Sequence, residues 1–412
     1  MIAADRSGGG TREVKRASWA LPRSWGSYLI ITALSTLQGT QLSLVAPLLN
    51  SGGYTPAAIG ALVSATTVAS LAARLPAGLL YERLPARRVQ GLALGLLAIL
   101  VAAHPVAGGA AAMLAVRVLT GVAYGVGTTL NLARFVDEQP VGAARARAMG
   151  YYTTGIAAGY TLASLLVGYA VEAGGYRTAF GLGAGLVALG LLGLLDRTPA
   201  AARRAAEAPT AWGGALRAPA LLVLLLEALL LNLLWAFWNA WLPLYALAVG
   251  LTLIDAGALR TGFGVANAVG RPLGGGAAAR LGAERAAAGA LLAQCALLLL
   301  LPLAPGLGVL LAVFILSGLL RAVGIVANTV AVVERAERQQ LGRGAAVALF
   351  STATDIGLLS GPACGGLLVQ LVGPVQVFLL GPLLLAAAYG AARLAVRLLP
   401  AVSPAPARPP AP

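Results

Sequence analysis

Apolar residues run through this chain in long blocks rather than in the short alternations of a water-soluble fold. From residue 27 to residue 398 nearly every block is long enough to cross a hydrocarbon layer of about 30 Å as a helix rising about 1.5 Å per residue. The pattern predicts twelve spans, at 27–50, 56–80, 89–105, 111–135, 148–171, 178–195, 219–246, 255–279, 286–303, 307–332, 346–371 and 375–398. The turns between them are short and gather Gly, Pro and Arg, the tightest lying at Pro105 and Pro305.

Inside the spans the polar positions recur at helical spacing. Arg117, Gly121, Tyr124, Thr128 and Asn131 of span four fall within about 80° of one another at 100° per residue. Ser317, Arg321, Gly324 and Asn328 repeat that stripe on span ten. Span seven carries Glu227, Asn232, Trp235, Trp238 and Asn239 on one broad arc, and span one offers Gln38 and Gln41. Such rows suit the wall of a polar cavity; the alternative is helix-to-helix packing away from any pore. Indole and amide groups fit a mostly apolar organic substrate held by a few polar contacts. Some tryptophans, Trp241 above all, suit the interfacial aromatic belt instead.

Composition turns the pattern into a class. Of 412 residues 59% are hydrophobic and only 10% charged, so the chain is a polytopic all-α membrane protein. A net charge of +15 would suggest nucleic acid in a soluble protein, but the arginines are sorted by side. With the N-terminal tail taken as cytoplasmic, 23 of the 29 basic residues lie in alternate loops and tails or at the span ends bordering them on that side, five lie deeper within spans, and Arg177 alone lies opposite. This bias places both termini in the cytoplasm of a cell-membrane protein. The polar, basic segment "DRSGGGTREVKR" followed by a full-length span is not a signal peptide. Cys295 and Cys364 read as small packing residues, and His104 stands alone in a turn, so no metal cluster or histidine-based catalytic site can be assembled. A Walker phosphate loop is also lacking, which leaves no cofactor and no enzyme chemistry to propose and turns the source of energy towards a gradient.

The chain divides in two. Residues 196–218, rich in Ala, Pro and Arg, read as a cytoplasmic linker between six-helix bundles at 25–195 and 219–398. Residues 1–24 form a basic tail, and residues 399–412 a proline-rich tail expected to be disordered. At an offset of 197, Gly60-Ala61-Leu62 maps onto Gly257-Ala258-Leu259, Arg74 onto Arg271, Gly121 onto Gly318 and Asn131 onto Asn328. Parallel six-helix repeats of this kind are a transporter architecture.

The turn between spans two and three carries Gly78, Glu82, Arg83, Arg87 and Arg88, with Pro85 between the charges, and its copy keeps Gly275, Arg280, Gly282 and Arg285 with Ala279 at the acidic position. Arg117 and Gly121 form Arg-x-x-x-Gly in span four; Gly357, Gly361-Pro362 and Gly366 carry a glycine pattern in span eleven that is degraded in span five (Gly150, Gly159, Gly168). In these motifs the chain resembles the major facilitator superfamily over about residues 25–398. The resemblance implies two pseudo-symmetric six-helix bundles and a central cavity lined by spans one, four, seven and ten. It also implies that the acid of the charged turn, Glu82, meets the positive N-terminal end of span eleven and latches the halves. Asp137 and Glu138 are expected to pair with Arg83 or Arg87 in that latch; the competing reading is that these charges only set orientation. The glycine of the turn, Gly78, is expected to admit a neighbouring helix closely.

Charges inside spans cost about 2.5–3.5 kcal/mol on insertion scales, so each is a candidate for function. Asp355 and Glu227 are the acids well inside the membrane and suit reversible proton uptake, with Arg321 as the expected switchable partner of Asp355 and Arg117 as a further coupling candidate; a static ion pair is the alternative. Arg74 and Arg271 read as structural residues that snorkel to the surface. The expected function is secondary transport of small organic molecules by alternating access, as a monomer in the bilayer, with proton-coupled efflux suggested by the glycine patterns and the tryptophans of span seven. Metabolite uptake by symport or uniport, and a transport-inactive sensor or scaffold, are the alternatives.

Overall fold

A computed structural model describes residues 24–139, 143–199, 219–303, 306–339 and 343–398; the tail at 1–23, most of the linker expected at 196–218, and the tail at 399–412 lie outside the described residues. Among these the chain is almost wholly helical. The helices are α1 (Trp25–Ser51), α2 (Pro56–Arg83), α3 (Ala86–Ala103), α4 (Gly109–Glu138), α5 (Ala143–Leu189), α6 (Pro219–Ala248), α7 (Leu253–Leu281), α8 (Ala283–Leu298), α9 (Leu307–Arg338), α10 (Arg343–Val372) and α11 (Val377–Leu398).

One of these holds two spans. α5 runs through a break at Gly174 and Gly175, where φ of +74° at Gly175 belongs to the left-handed region that glycine enters without a Cβ penalty. The expected spans five and six lie on either side of it, giving six helical segments in each half. Nine described stretches are long and apolar enough to cross a membrane, the one at Tyr151–Leu195 covering both limbs of α5. α7 and α8 fall short for a physical reason: α8 has only 16 residues, and α7 carries Arg260, Arg271, Arg280 and Asp255. Asp255 is used locally, closing a capping box with Thr252 at the α7 N-terminus.

The halves repeat one packing scheme. α1 lies along α5 and α2 along α4 in the first; α6 lies along α10 and α7 along α9 in the second. The 197-residue offset survives at atomic detail. Asn131 Nδ2 donates to the Ser27 carbonyl at 3.0 Å, and Asn328 Nδ2 donates to the Leu224 carbonyl at 3.0 Å. Gly121 approaches the carbonyl of Thr66 and the methyl of Ala69; Gly318 approaches the carbonyl of Phe263 and the methyl of Ala266. Without a hydrophobic drive between helices in lipid, close backbone approach at small residues and amide hydrogen bonds hold such bundles together. Outward lie apolar side chains such as Leu92, Ile99, Val269 and Leu371, exposed by 68–78%, a surface suited to acyl chains rather than water.

The halves meet tightly at the end away from the arginine-rich turns. There α2 crosses α10: Gly60 lies against Pro362 and Gly366, Ser64 Oγ donates to the Leu359 carbonyl at 2.9 Å, and the Ala57 amide donates to Gln370 Oε1 at 3.3 Å. α5 crosses α7 with Gly168 against Ile254 and Gly257 against the Ser164 carbonyl. At the arginine-rich end the contrast is plain. Among the described residues, a side chain at Gly78 or at Gly275 would meet nothing within 4 Å, so the close helix approach expected of Gly78 is not seen there in this conformation.

Candidate functional site

Between the halves lies a cavity of about 380 Å³, in the range of small-molecule sites. Its wall comes unequally from the two halves. α1, α2 and α4 supply nearly all the polar groups, whereas the second half contributes Trp235 and Asp355 with apolar neighbours such as Leu358.

Most first-half residues picked from sequence converge here. Tyr124 OH donates to Gln38 Oε1 at 3.0 Å, and Thr128 Oγ1 donates to the Tyr124 carbonyl at 2.8 Å. Arg117 is buried at the wall with its guanidinium spread over three acceptors: Gln41 Oε1 at 2.9 Å, the Leu62 carbonyl at 3.0 Å and the Val63 carbonyl at 3.0 Å. Those bonds hold the cation without a carboxylate and fasten α4 to α1 and α2.

The ion pair departs from expectation. Asp355 takes Arg74, whose Nη1 lies 3.2 and 3.0 Å from its two oxygens, so the partner comes from the other half of the molecule and not from Arg321. The physical reason is helix facing: Arg321 points back into its own half, donating to the Leu231 carbonyl at 2.6 Å and to Asn232 Oδ1 at 2.8 Å, with its guanidinium carbon 5.2 Å over the Trp235 ring. Arg74 is the functional candidate that its sequence position concealed. Its signal was available, since Thr66, Ser70 and Arg74 form an i, i+4 row on α2 and all line the cavity.

Several other candidates do not line the cavity. Asn131 accepts from Gln90 Nε2 at 3.0 Å and donates to Tyr152 OH at 3.1 Å, so it ties four helical segments together; Asn328 is its buried counterpart. Trp238 is fully buried, its ring 4.5 Å from Phe263 and 5.0 Å from Phe314. Asn239 accepts from Tyr160 OH at 2.6 Å across the halves, and Asn232 serves Arg321. Glu227 accepts a hydrogen bond from Tyr389 OH on α11 at 2.8 Å, inside the second half. A third buried cation, Arg260, donates to Ser43 Oγ and to the carbonyls of Leu42 (3.3 Å) and Asn239 (2.6 Å), stitching α7 to α1 and α6 at the tight end.

At the arginine-rich end one of the pairings expected for the latch is replaced by another. Glu138 pairs with Arg134 one turn away on its own helix (2.6 Å) and accepts from Ser27, rather than meeting Arg87. The i, i+4 spacing inside one rigid helix made that pair cheaper to form. Asp137 is half-buried on the same turn, Arg87 is half-buried, and Arg88, Arg280 and Arg285 are exposed or half-buried. The side chains of Glu82 and Arg83 lie outside those described. Nearby, Asp196 receives the Gly26 amide at 2.9 Å and the Thr198 hydroxyl at 2.7 Å, capping the start of α1.

This geometry is that of a known family. The major facilitator superfamily model matches residues 27–260 and again 246–412. The chain belongs to that superfamily. Together the two matches span nearly the whole chain, and membership marks a transporter rather than an enzyme. Among solved structures the chain resembles a point mutant of the nucleoside transporter NupG, with a TM-score of 0.76 at 16% identity over 90% of this chain and 99% of that one. It also resembles a bacterial homologue of the human lysosomal transporter Spinster, inward-facing and unoccupied, with a TM-score of 0.75 at 15% identity over 91% of this chain and 96% of that one. At such identity the likeness concerns the fold. No curated protein matches the sequence.

Proposed function

We propose that this superfamily member is a secondary active transporter that exports small organic molecules by alternating access, in exchange for protons. One observation carries the proposal: a cavity between homologous halves, shut at one end by backbone-to-backbone contacts at Gly60 and Gly366 and crossed by a single ion pair, Arg74 to Asp355, among the described residues. A rocking motion that parts the first and closes the gap at Gly78 and Gly275 would expose the same cavity to the other side.

The arginine bias supports placing the turns of Arg83, Arg87, Arg88, Arg280 and Arg285, and both termini, in the cytoplasm of a cell-membrane protein. The conformation described is then inward-facing, and the charged turns, with Asp137 and Glu138 beside them, would meet when that end closes. Asp355 is the first proton site, because its partner is borrowed from the opposite half and is lost when the halves move. Glu227, held by Tyr389 within one half, is the second. Gln38, Gln41, Tyr124 and Trp235 contact the solute. All of these belong to one chain, which supports a working monomer.

The test is flux in proteoliposomes under an imposed pH gradient, with a panel of amphipathic cations, neutral molecules and anions. Protonophore-sensitive export is expected. If Asp355→Asn and Glu227→Gln both leave that flux intact, the proton assignment fails. Flux running with the proton gradient rather than against it would replace export by symport.

A further inference from the structure

The charges around the cavity do not balance. Among the described residues its ionic lining consists of Arg74, Arg117 and Asp355, two cations against one anion. A third guanidinium, Arg321, lies over the ring of Trp235, which itself lines the cavity. The acceptors that hold Arg117 and Arg321 are carbonyl and side-chain amide oxygens, so neither cation is neutralised by its hydrogen bonds. A surplus of positive charge beside a low-dielectric wall is unfavourable until an opposite charge joins it. A neutral solute leaves the surplus in place, a cation enlarges it, and an anion removes it.

Arg74 is the reachable cation, with its side chain 45% exposed against 18% for Asp355. One nitrogen, Nη1, serves both Asp355 oxygens. That is a weaker clasp than the parallel two-nitrogen fork a guanidinium offers a free carboxylate. The rest of the wall carries the amides of Gln38 and Gln41, hydroxyls such as those of Thr66 and Ser70, and apolar surface from Ile156, Leu358 and Trp235.

We infer that the solute is a small organic anion whose acidic group takes the place of Asp355 on Arg74 and whose apolar body lies against Trp235, Ile156 and Leu358. This rests on the cavity being the transport site. It also gives the solute a way to act on the conformation. Because Arg74 is on α2 and Asp355 on α10, an anion that captures Arg74 undoes a tie between the halves.

The experiment is calorimetric titration of the full-length protein in detergent with three shape-matched probes, benzoate, benzamide and benzylammonium. Benzoate is expected to bind at least about tenfold more tightly than either of the others, the fold-change of one charge-assisted hydrogen bond. Arg74→Gln should abolish that preference, Arg74→Lys should keep part of it, and Asp355→Asn should tighten benzoate by removing its competitor. Should Arg74→Gln fail to fold, as judged by gel filtration, the opposed effects of Arg74→Lys and Asp355→Asn carry the same information. Equal or better binding of the amide or amine overturns the inference. So does a preference that survives Arg74→Gln, and so does the absence of binding by all three. Flux is measured separately: benzoate binding with this pattern but without transport refutes the transport reading alone, and transport with no preference for anions refutes the anion inference alone.

Discussion

The tight end of the molecule can be loosened by one methyl group. A Cβ placed on Gly60 would sit 2.5 Å from the carbonyl oxygen of Pro362 and 3.1 Å from the Cα of Gly366. Ordinary carbon-to-oxygen contacts lie near 3.3–3.6 Å. Gly60→Ala therefore requires α2 and α10 to separate by roughly 1 Å, and because both obstacles are backbone no rotamer change can relieve it. Overpacking of this kind costs about 1–3 kcal/mol. The strain exists only while this end is shut, so nearly all of it acts as a difference between the two conformations, worth about 5- to 150-fold in their ratio. The assay is pulsed dipolar spectroscopy with spin labels at the exposed positions Thr55 and Leu371, after replacing Cys295 and Cys364 by alanine. Wild-type protein should give one short distance, and Gly60→Ala a second, longer one. Gly78→Ala is the control, since nothing lies within 4 Å of its added carbon. If Gly60→Ala leaves the distance distribution unchanged and only lowers the melting temperature, the contact is a fixed seam rather than a gate.

Two further outcomes follow from the same structure. Asn131→Ala and Asn328→Ala each remove one symmetric interhelical hydrogen bond, worth about 0.6–1.7 kcal/mol in membrane bundles; fluorescence-monitored unfolding should show comparable losses that add in the double variant, and strong coupling between them would contradict separate bundles. At the start of α1, burial acts to raise the Asp196 carboxyl, but hydrogen bonds from Thr198 and the Gly26 amide, with Arg134 nearby, outweigh it and hold the group below its ordinary 3.8. A lowered folded-state value means the stabilisation is present above the ordinary value, about pH 4, and is lost as pH falls below that through the folded-state value. Asp196→Asn should flatten the acid limb of the unfolding curve, and an unchanged limb would remove Asp196 from the cap.

What sequence alone determined here is the part governed by the solvent. A hydrocarbon layer demands helices of a set length with their backbone bonds satisfied internally, so twelve apolar blocks could be read as helical segments. The joint between spans five and six was visible as the gap between residues 171 and 178, although the helix continues through it with a break at Gly174 and Gly175. The repeat at 197 residues was equally legible, because duplicated packing needs the same small residue or amide at the same place, as at Gly121 and Gly318 or Asn131 and Asn328. Facing was not legible. A helical wheel places Arg321 and Asp355 on plausible polar faces, yet only the docking of α10 across α2 decides that Asp355 meets Arg74. Likewise Trp238 and Trp235 are three residues apart on one helix, and the neighbours brought by α7 and α9 bury the first while the second lines the cavity. Periodicity specifies direction about one helix axis; which element lies in that direction is set by the packing of all the others.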